Sequence, residues 1–243
     1  MDFAEQNQIA PRQVLEHWYY QAKFGLLRRT LMASGIVRPG LALADLGCGL
    51  GVFLTLLEQK KLFAPAQMVG IDPAAKPGQQ SIGGTVAIER SWPEKSFDLI
   101  LLMDVLEHIE DDRGALAETW GKLRPGGHLF ITVPAFMFLW SRHDEVLGHH
   151  RRYTLARLRQ LLETVPGLKI KRLHYYYALV LPIAILVRWA RRKAGDTASD
   201  LKPAPSWLNF LLRAGLALEL IFAPANKLAG LTVVALVQKP EQA

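Results

Sequence analysis

The stretch that decides the fold is Leu41-Ala-Leu-Ala-Asp45-Leu-Gly47-Cys48-Gly49-Leu-Gly51, followed by the helical run Val52–Lys61. A short apolar run closing on an acid, a glycine-rich turn and then an amphipathic helix reads as strand, tight turn and helix. Glycines let the backbone bend sharply and approach a ligand, while the helix that follows presents unpaired N–H groups to negative charge. A nucleoside-like ligand suits such a turn. The dinucleotide fingerprint GxGxxG needs its third glycine at position 52, where this chain has Val52, and does not require an acid before the first glycine. Both departures argue against a nicotinamide dinucleotide.

Outward from this stretch the alternation repeats. Strands are expected at 67–71, 85–88, 97–102 and 128–133, with a helix at about 113–123 closed by a turn at Arg124-Pro-Gly-Gly127. Upstream, 11–34 has the spacing of one helix that Gly35 ends. Downstream, Thr154 is placed to cap a helix reaching Thr164, and strands follow at 169–177 and 231–238. Alternating β and α elements imply a doubly wound, largely parallel sheet in one domain spanning 1–243. Its parts are an N-terminal helix at 11–35, a core at 36–173, an apolar helical insertion at 174–228, and a final strand and tail at 229–243.

Asp72 ends the second strand in Val69-Gly-Ile-Asp-Pro73, where a carboxylate accepts hydrogen bonds from the two ribose hydroxyls of an adenosine. The alternative is a turn-forming Asp before Pro73. Four segments taken together resemble the class I S-adenosylmethionine-dependent methyltransferases: ADLGCGLG (44–51), GIDP (70–73), SFDLILLMDVLEHIEDD (96–112) and LRPGGHLFITVP (123–134). The resemblance implies a Rossmann-like seven-stranded sheet of order 3-2-1-4-5-7-6 with strand 7 antiparallel, and S-adenosyl-L-methionine across the carboxyl ends of the first strands. It implies that Asp45 and the Gly47-Cys48-Gly49-Leu50-Gly51 backbone hold the methionine end. Asp72 and Pro73 then lie at the ribose, and Met103 and Asp104 form the pocket edge. His108 lies near the methyl group. Many relatives bind the adenine amino group through an Asp after the third strand; here the chain reads AIERSWPEKSF (87–97), leaving Glu89, Ser91 and Trp92 as candidates.

A second constellation, LWSRHDEVLGHHRRYT (139–154), follows the fifth strand and is similar to a subset of these enzymes with a W-S-x-x-D and G-H-x-R-R-Y pattern, often with an aromatic N-terminal helix like His17-Trp-Tyr-Tyr20. Methyl transfer from a sulfonium is an in-line displacement, so the protein positions the acceptor and, for a hydroxyl, removes its proton. His108, His143 and His149 are candidates for the base or its helper, with Asp144 orienting it. Arg151, Arg152 and Tyr153 are candidates for the acceptor side. A plainer reading pairs Asp144 with Arg151 or Arg152 merely to pin the loop. The spacing of His143, Asp144, His149 and His150 matches no closed zinc signature, so no metal is expected.

Half of the 243 residues are hydrophobic and the formal charge is +7, a balance favouring anionic partners. The lone cysteine, Cys48, allows no intrachain disulfide, which fits a reducing compartment. The apolar run YYYALVLPIAILV (175–187) is too short to cross a bilayer and is followed by the basic cluster RWARRK (188–193), the pattern of an interfacial helix. A second segment, 207–225, is interrupted by Asn209, Arg213 and Glu219 and also fails as a clean span. Packing of both helices on each other or on a dimer mate is the alternative. These features point to a methyltransferase acting on a hydrophobic, lipid or polyprenyl-linked acceptor, cytoplasmic and peripheral on the inner face of an anionic membrane. Rival expectations are a soluble small-molecule O- or N-methyltransferase and a non-catalytic nucleoside-binding protein at the membrane. Without a box for a flipped base or an RNA-binding module, nucleic acid is not an expected partner.

Overall fold

The computed structural model describes residues 11–194 and 205–241. Seven strands form one sheet of order β3-β2-β1-β4-β5-β7-β6: β1 (Leu43–Leu46), β2 (Met68–Ile71), β3 (Ile88–Glu89), β4 (Phe97–Met103), β5 (Leu123–Pro134), β6 (Lys169–Tyr176) and β7 (Thr232–Gln238). Pairings from β3 through β5 are parallel, whereas β7 runs antiparallel to both β5 and β6. The expected class and strand order are those observed.

Side chains alternate between the two faces of the sheet, as the strand period requires. Leu99, Leu101 and Met103 of β4 join one buried cluster and Ile100 and Leu102 join the other. Both faces are covered, so these strands are apolar throughout. The first cluster includes residues of α2 (Trp18–Ala33), α3 (Val52–Gln59) and α8 (Ser206–Phe222); the second includes residues of α4 (Asp112–Gly121) and α6 (Leu155–Leu162).

The single helix expected at 11–34 is two helices, α1 (Pro11–Glu16) and α2, broken at His17. His17 takes an extended conformation and its Nδ1 accepts from the Tyr19 amide at 3.3 Å. The Trp18 amide donates to Asn209 Oδ1 at 2.7 Å. The freed amides of the new helix start are thus satisfied by side chains, one of them from a distant helix. Gly35, at φ +63°, follows the helix end, and Ile36 N donates to Leu31 O at 3.0 Å in the manner of a Schellman cap.

Arg124-Pro-Gly-Gly127 is not a turn before β5 but a bulge within it. Phe97 pairs with Leu123 and Leu99 with His128, so the extra residues loop out, with Gly126 at φ +76°. A local sequence signal for a turn is also a signal for a bulge, and only strand pairing separates them.

Between β6 and β7 lie α7 (Leu181–Ala194) and α8. Two polar residues within the apolar α8, Asn209 and Glu219, are structural clamps. Asn209 also donates to Glu16 O at 3.2 Å, and Glu219 accepts from the Ala178 and Leu179 amides at 2.8 and 3.0 Å, just before α7 begins. Among the described residues one helical stretch, Ser206–Ala225, is long and apolar enough by length and composition to cross a membrane. Its three polar residues therefore do not take it below that threshold, contrary to the sequence reading. The basic side chains at 191–193 lie outside the described residues.

Candidate active site

The glycine turn leads directly from β1 into α3. Gly47, Gly49 and Gly51 have φ of +65°, +56° and +70°. At Gly47 a Cβ would come within 2.7 Å of Val105, and at Gly51 within 2.7 Å of Ser81. Gly47 and Gly51 are therefore both left-handed and too crowded for a side chain. Gly47 N donates to Ile71 O at 2.7 Å, and Gly49 N to Asp72 Oδ2 at 2.8 Å; Asp72 Oδ1 accepts from Ala74 N at 2.9 Å. Asp72 thus anchors the glycine turn and shapes its own, as the turn-forming reading of the sequence expects.

Asp45 is buried and its Oδ2 has no hydrogen-bond partner. Burial, with Asp72 adding repulsion, pushes its carboxyl up to about 7. Glu107 is also buried with an unpartnered Oε2, and burial followed by repulsion from Asp104 raises it to about 8. Buried acceptors without partners are costly. S-adenosylmethionine carries an ammonium, which the unpartnered Asp45 carboxylate beside the glycine turn fits. Cys48 is buried in the turn, where burial holds its thiol well above the usual range. Ser81, whose buried hydroxyl has no protein partner, lies against Gly51.

Of the remaining cofactor candidates, Met103 is buried at the end of β4 and Pro73 is exposed. Ser91 is exposed, and Trp92 packs its ring 5.9 Å from Phe97. Asp104 follows β4 at φ +56°, and Phe136 and Tyr177, after β5 and β6, also have positive φ of 58° and 66°. Three non-glycine residues with positive φ thus follow the carboxyl ends of β4, β5 and β6.

Asp104 accepts from Thr132 Oγ1 at 3.0 Å, from Tyr19 Oη at 2.9 Å and from Lys23 Nζ. Burial opposes its charge, but the Lys23 ammonium outweighs it and lowers the carboxyl below its usual range. Lys23 is fully buried and escaped the sequence reading. Its one sequence signal is its place one turn after Tyr19, whose hydroxyl it also meets at 2.7 Å. The Tyr19 ring stacks on Tyr177 at 5.6 Å and 8°. Trp18, Tyr19 and Tyr20 line a cavity, and Tyr20 also packs into the buried core.

This cavity has a volume of about 490 Å³. Its apolar wall comes from α2, from Val180, Ile183, Ala184 and Val187 at α7, and from Leu208 and Leu212 of α8; its polar end carries Asp104, Glu107, His108, His143, His149 and Arg152. The loop after β5 reaches it through His143, Leu147, His149 and Arg152; behind them Asp144 is fully buried and closes a capping box with Ser141 at the start of α5 (Arg142–Val146). Asp144 Oδ1 accepts from His149 Nδ1 at 2.9 Å and from Arg152 Nε at 2.7 Å. Burial opposes its charge, yet His149 and Arg152 hold the carboxyl well below the usual range. Asp144 thus orients a histidine and pins the loop at once.

The His108 Nδ1 lies 3.0 Å from the Leu147 carbonyl, and its ring centroid lies 4.5 Å from that of His149. Burial, with His149 adding to it, lowers the His108 imidazole to about 3. Arg151 and Tyr153 are not brought into the cavity. Arg151 pairs with Asp112 at 2.9 Å and donates to Glu110 O at 2.6 Å; Tyr153 is fully buried and its hydroxyl donates to Asp112 at 2.9 Å. His150 is exposed, and its amide donates to the Glu107 carbonyl at 2.7 Å.

A family model described as a methyltransferase domain matches residues 15–177. Trans-aconitate 2-methyltransferase of Deinococcus radiodurans is 31% identical over 192 residues, covering 68% of this chain and 74% of that protein. Ubiquinone biosynthesis O-methyltransferase of Bradyrhizobium sp. is 34% identical over 105 residues, 39% of this chain and 40% of that protein. Among solved structures, the plantazolicin methyltransferase BpumL in complex with S-adenosylhomocysteine (SAH) and an acceptor analogue superposes with a TM-score of 0.57 at 14% identity, covering 92% of this chain and 86% of that one. The [4+2]-cyclase SpnF superposes at 0.53 and 18% identity, covering 88% and 81%, so the fold alone does not fix the chemistry. Together with the glycine turn, the Asp72 anchor and the sheet order, the match to the domain assigns the chain to the methyltransferase domain family, as a class I, S-adenosylmethionine-dependent enzyme.

Proposed function

We propose that this enzyme methylates an oxygen of a hydrophobic acceptor that enters the cavity between α2, α7 and α8. The single observation that carries the reading is the cavity itself: about 490 Å³, with an apolar wall and a polar end where His108 and His149 meet. Asp45 and the 47–51 backbone hold the methionine end of the cofactor, Asp72 the ribose, and Met103 with Asp104 the edge of the pocket. When bound, S-adenosylmethionine supplies a methyl group activated by a sulfonium. The carbonyl of Leu147 and the carboxylate of Asp144 fix a proton on Nδ1 of His108 and His149 respectively, which leaves each Nε2 to accept one. His149, oriented by Asp144, takes the acceptor's hydroxyl proton as the new C–O bond forms. His143 and Arg152 line the same end and position the acceptor.

The similarity to a ubiquinone biosynthesis O-methyltransferase supports an oxygen acceptor. Membrane contact is supported by the outward faces of α7 and α8, where Ile183, Leu186, Trp207, Phe210, Leu218 and Phe222 are exposed beside Met137 and Phe138. On this reading the enzyme works as a peripheral protein on the cytoplasmic face of an anionic membrane. The similarity to trans-aconitate 2-methyltransferase favours a second reading, a small acid in solution. Isotope-labelled S-adenosylmethionine is incubated with the enzyme and either a total lipid extract or the aqueous metabolite pool of the source cell. Label in the organic phase is the expected result; label confined to the aqueous pool overturns the hydrophobic acceptor.

A further inference from the structure

Glu107, His108 and His149 each offer one ligand atom, and these atoms all lie within 4.8 Å of one another. We propose that they form a site for a divalent transition-metal ion such as zinc, manganese or cobalt at the polar end of the cavity. A water or the acceptor oxygen completes the coordination.

Several observations support this beyond the bare cluster. Both imidazoles have Nδ1 committed, His108 to the Leu147 carbonyl at 3.0 Å and His149 to Asp144 at 2.9 Å, so both present Nε2 as the ligating atom. A ligating histidine whose other nitrogen bonds a carbonyl or carboxylate is the usual supporting arrangement at protein metal sites. The two imidazoles meet edge to face with ring centroids 4.5 Å apart, which brings a nitrogen of each within reach of one ion. Glu107 is 1% exposed and its Oε2 makes no protein hydrogen bond, a buried acceptor with nothing to accept from. One cation resolves the carboxylate and both lone pairs together. Two nitrogens and one carboxylate oxygen suit the transition series rather than magnesium or calcium, which favour oxygen alone. Three protein ligands with an open position facing a cavity describe a catalytic site rather than a closed structural one. The four residues weighed from the sequence include only one of these ligands, because Glu107 and His108 follow β4 and reach His149 only through the fold.

Binding of the ion stands apart from the acceptor reading; its chemical role rests on that reading. In the metal-loaded enzyme the imidazoles hold the ion instead of a proton. The acceptor hydroxyl coordinates the ion and loses its proton to solvent. A lone pair of that oxygen forms the C–O bond as the C–S bond breaks, and its electrons pass to sulfur. The ion keeps its charge throughout.

The test uses the full chain after dialysis against a chelator, titrated with cobalt(II) and zinc(II) alone. One ion per chain is expected by calorimetry, together with a visible cobalt spectrum that zinc displaces and no thiolate charge-transfer band. His149→Ala and Glu107→Gln abolish the spectrum, the exposed His150→Ala retains it, and Asp144→Asn weakens zinc binding about 10–100-fold. No saturable binding, a thiolate band, or binding indifferent to both ligand substitutions overturns the site. None of these readouts needs an acceptor or turnover, so absence of methylated product bears on the proposed function and not on the metal.

Discussion

Acidifying the medium from about pH 7 to about pH 5.5 removes most of the charge from Asp45, and cofactor binding should weaken with it. Asp45 is 2% exposed, has an unpartnered Oδ2, and is pushed from 3.8 up to about 7 by burial, with Asp72 adding to it. In the ligand-free protein this raised value means that the fold is penalised as pH rises. Stability is full below about pH 4 and falls as the buried carboxyl ionises toward about pH 7, by at most about 4 kcal/mol. A cofactor ammonium reverses the balance, because it favours the ionised form. The ionised fraction of such a carboxyl rises from about 3% at about pH 5.5 to about half at about pH 7, so the association constant rises roughly 15-fold, or about 1.6 kcal/mol. The titration stops there because an α-amino group itself loses its proton near pH 8. Calorimetric titration with S-adenosylhomocysteine across this range is the assay, with Asp45→Asn as the control expected to flatten the profile. A flat profile in the unaltered enzyme, or an equal slope in Asp45→Asn, refutes the assignment of Asp45 to the ammonium.

Replacing Lys23 with Met leaves Asp104 buried without its cation and should lower unfolding stability by about 3–5 kcal/mol, measured by urea denaturation. Lys23→Met with Asp104→Asn should recover part of that loss, and no recovery would show that the lysine acts through packing alone. Gly51→Ala forces a side chain into φ +70° and within 2.7 Å of Ser81. It should cost about 1–3 kcal/mol and reduce cofactor affinity. An unchanged melting temperature and unchanged calorimetric binding would remove the steric argument for this turn.

The alternation of strands and helices was legible because its signals are local or repetitive, whereas the strand order followed only from the resemblance to a known family. Apolar runs ending in Asp45 and Asp72, glycines at fixed places and Thr154 before a helix are each written within a few neighbouring residues. Backbone sterics at the glycines and burial of both sheet faces leave few alternatives for such a pattern. The break at His17 was hidden because Asn209, far along the chain, satisfies the Trp18 amide. The bulge at 124–127 was hidden because a turn and a bulge share their residues.

By itself, then, the sequence determined the glycine turn, the acids that flank it and the doubly wound sheet, since torsional limits and hydrophobic periodicity act between near neighbours. Only the tertiary structure decided which charges meet. Lys23 reaches Asp104 because α2 packs over the end of β4, and His149 reaches His108 because the buried Asp144 and Arg152 fold the loop after β5 back on itself. Tyr153 and Arg151, equally eligible on paper, are turned toward Asp112 instead. Ion pairing and burial depend on distances in space, and residue types along the chain do not encode those distances.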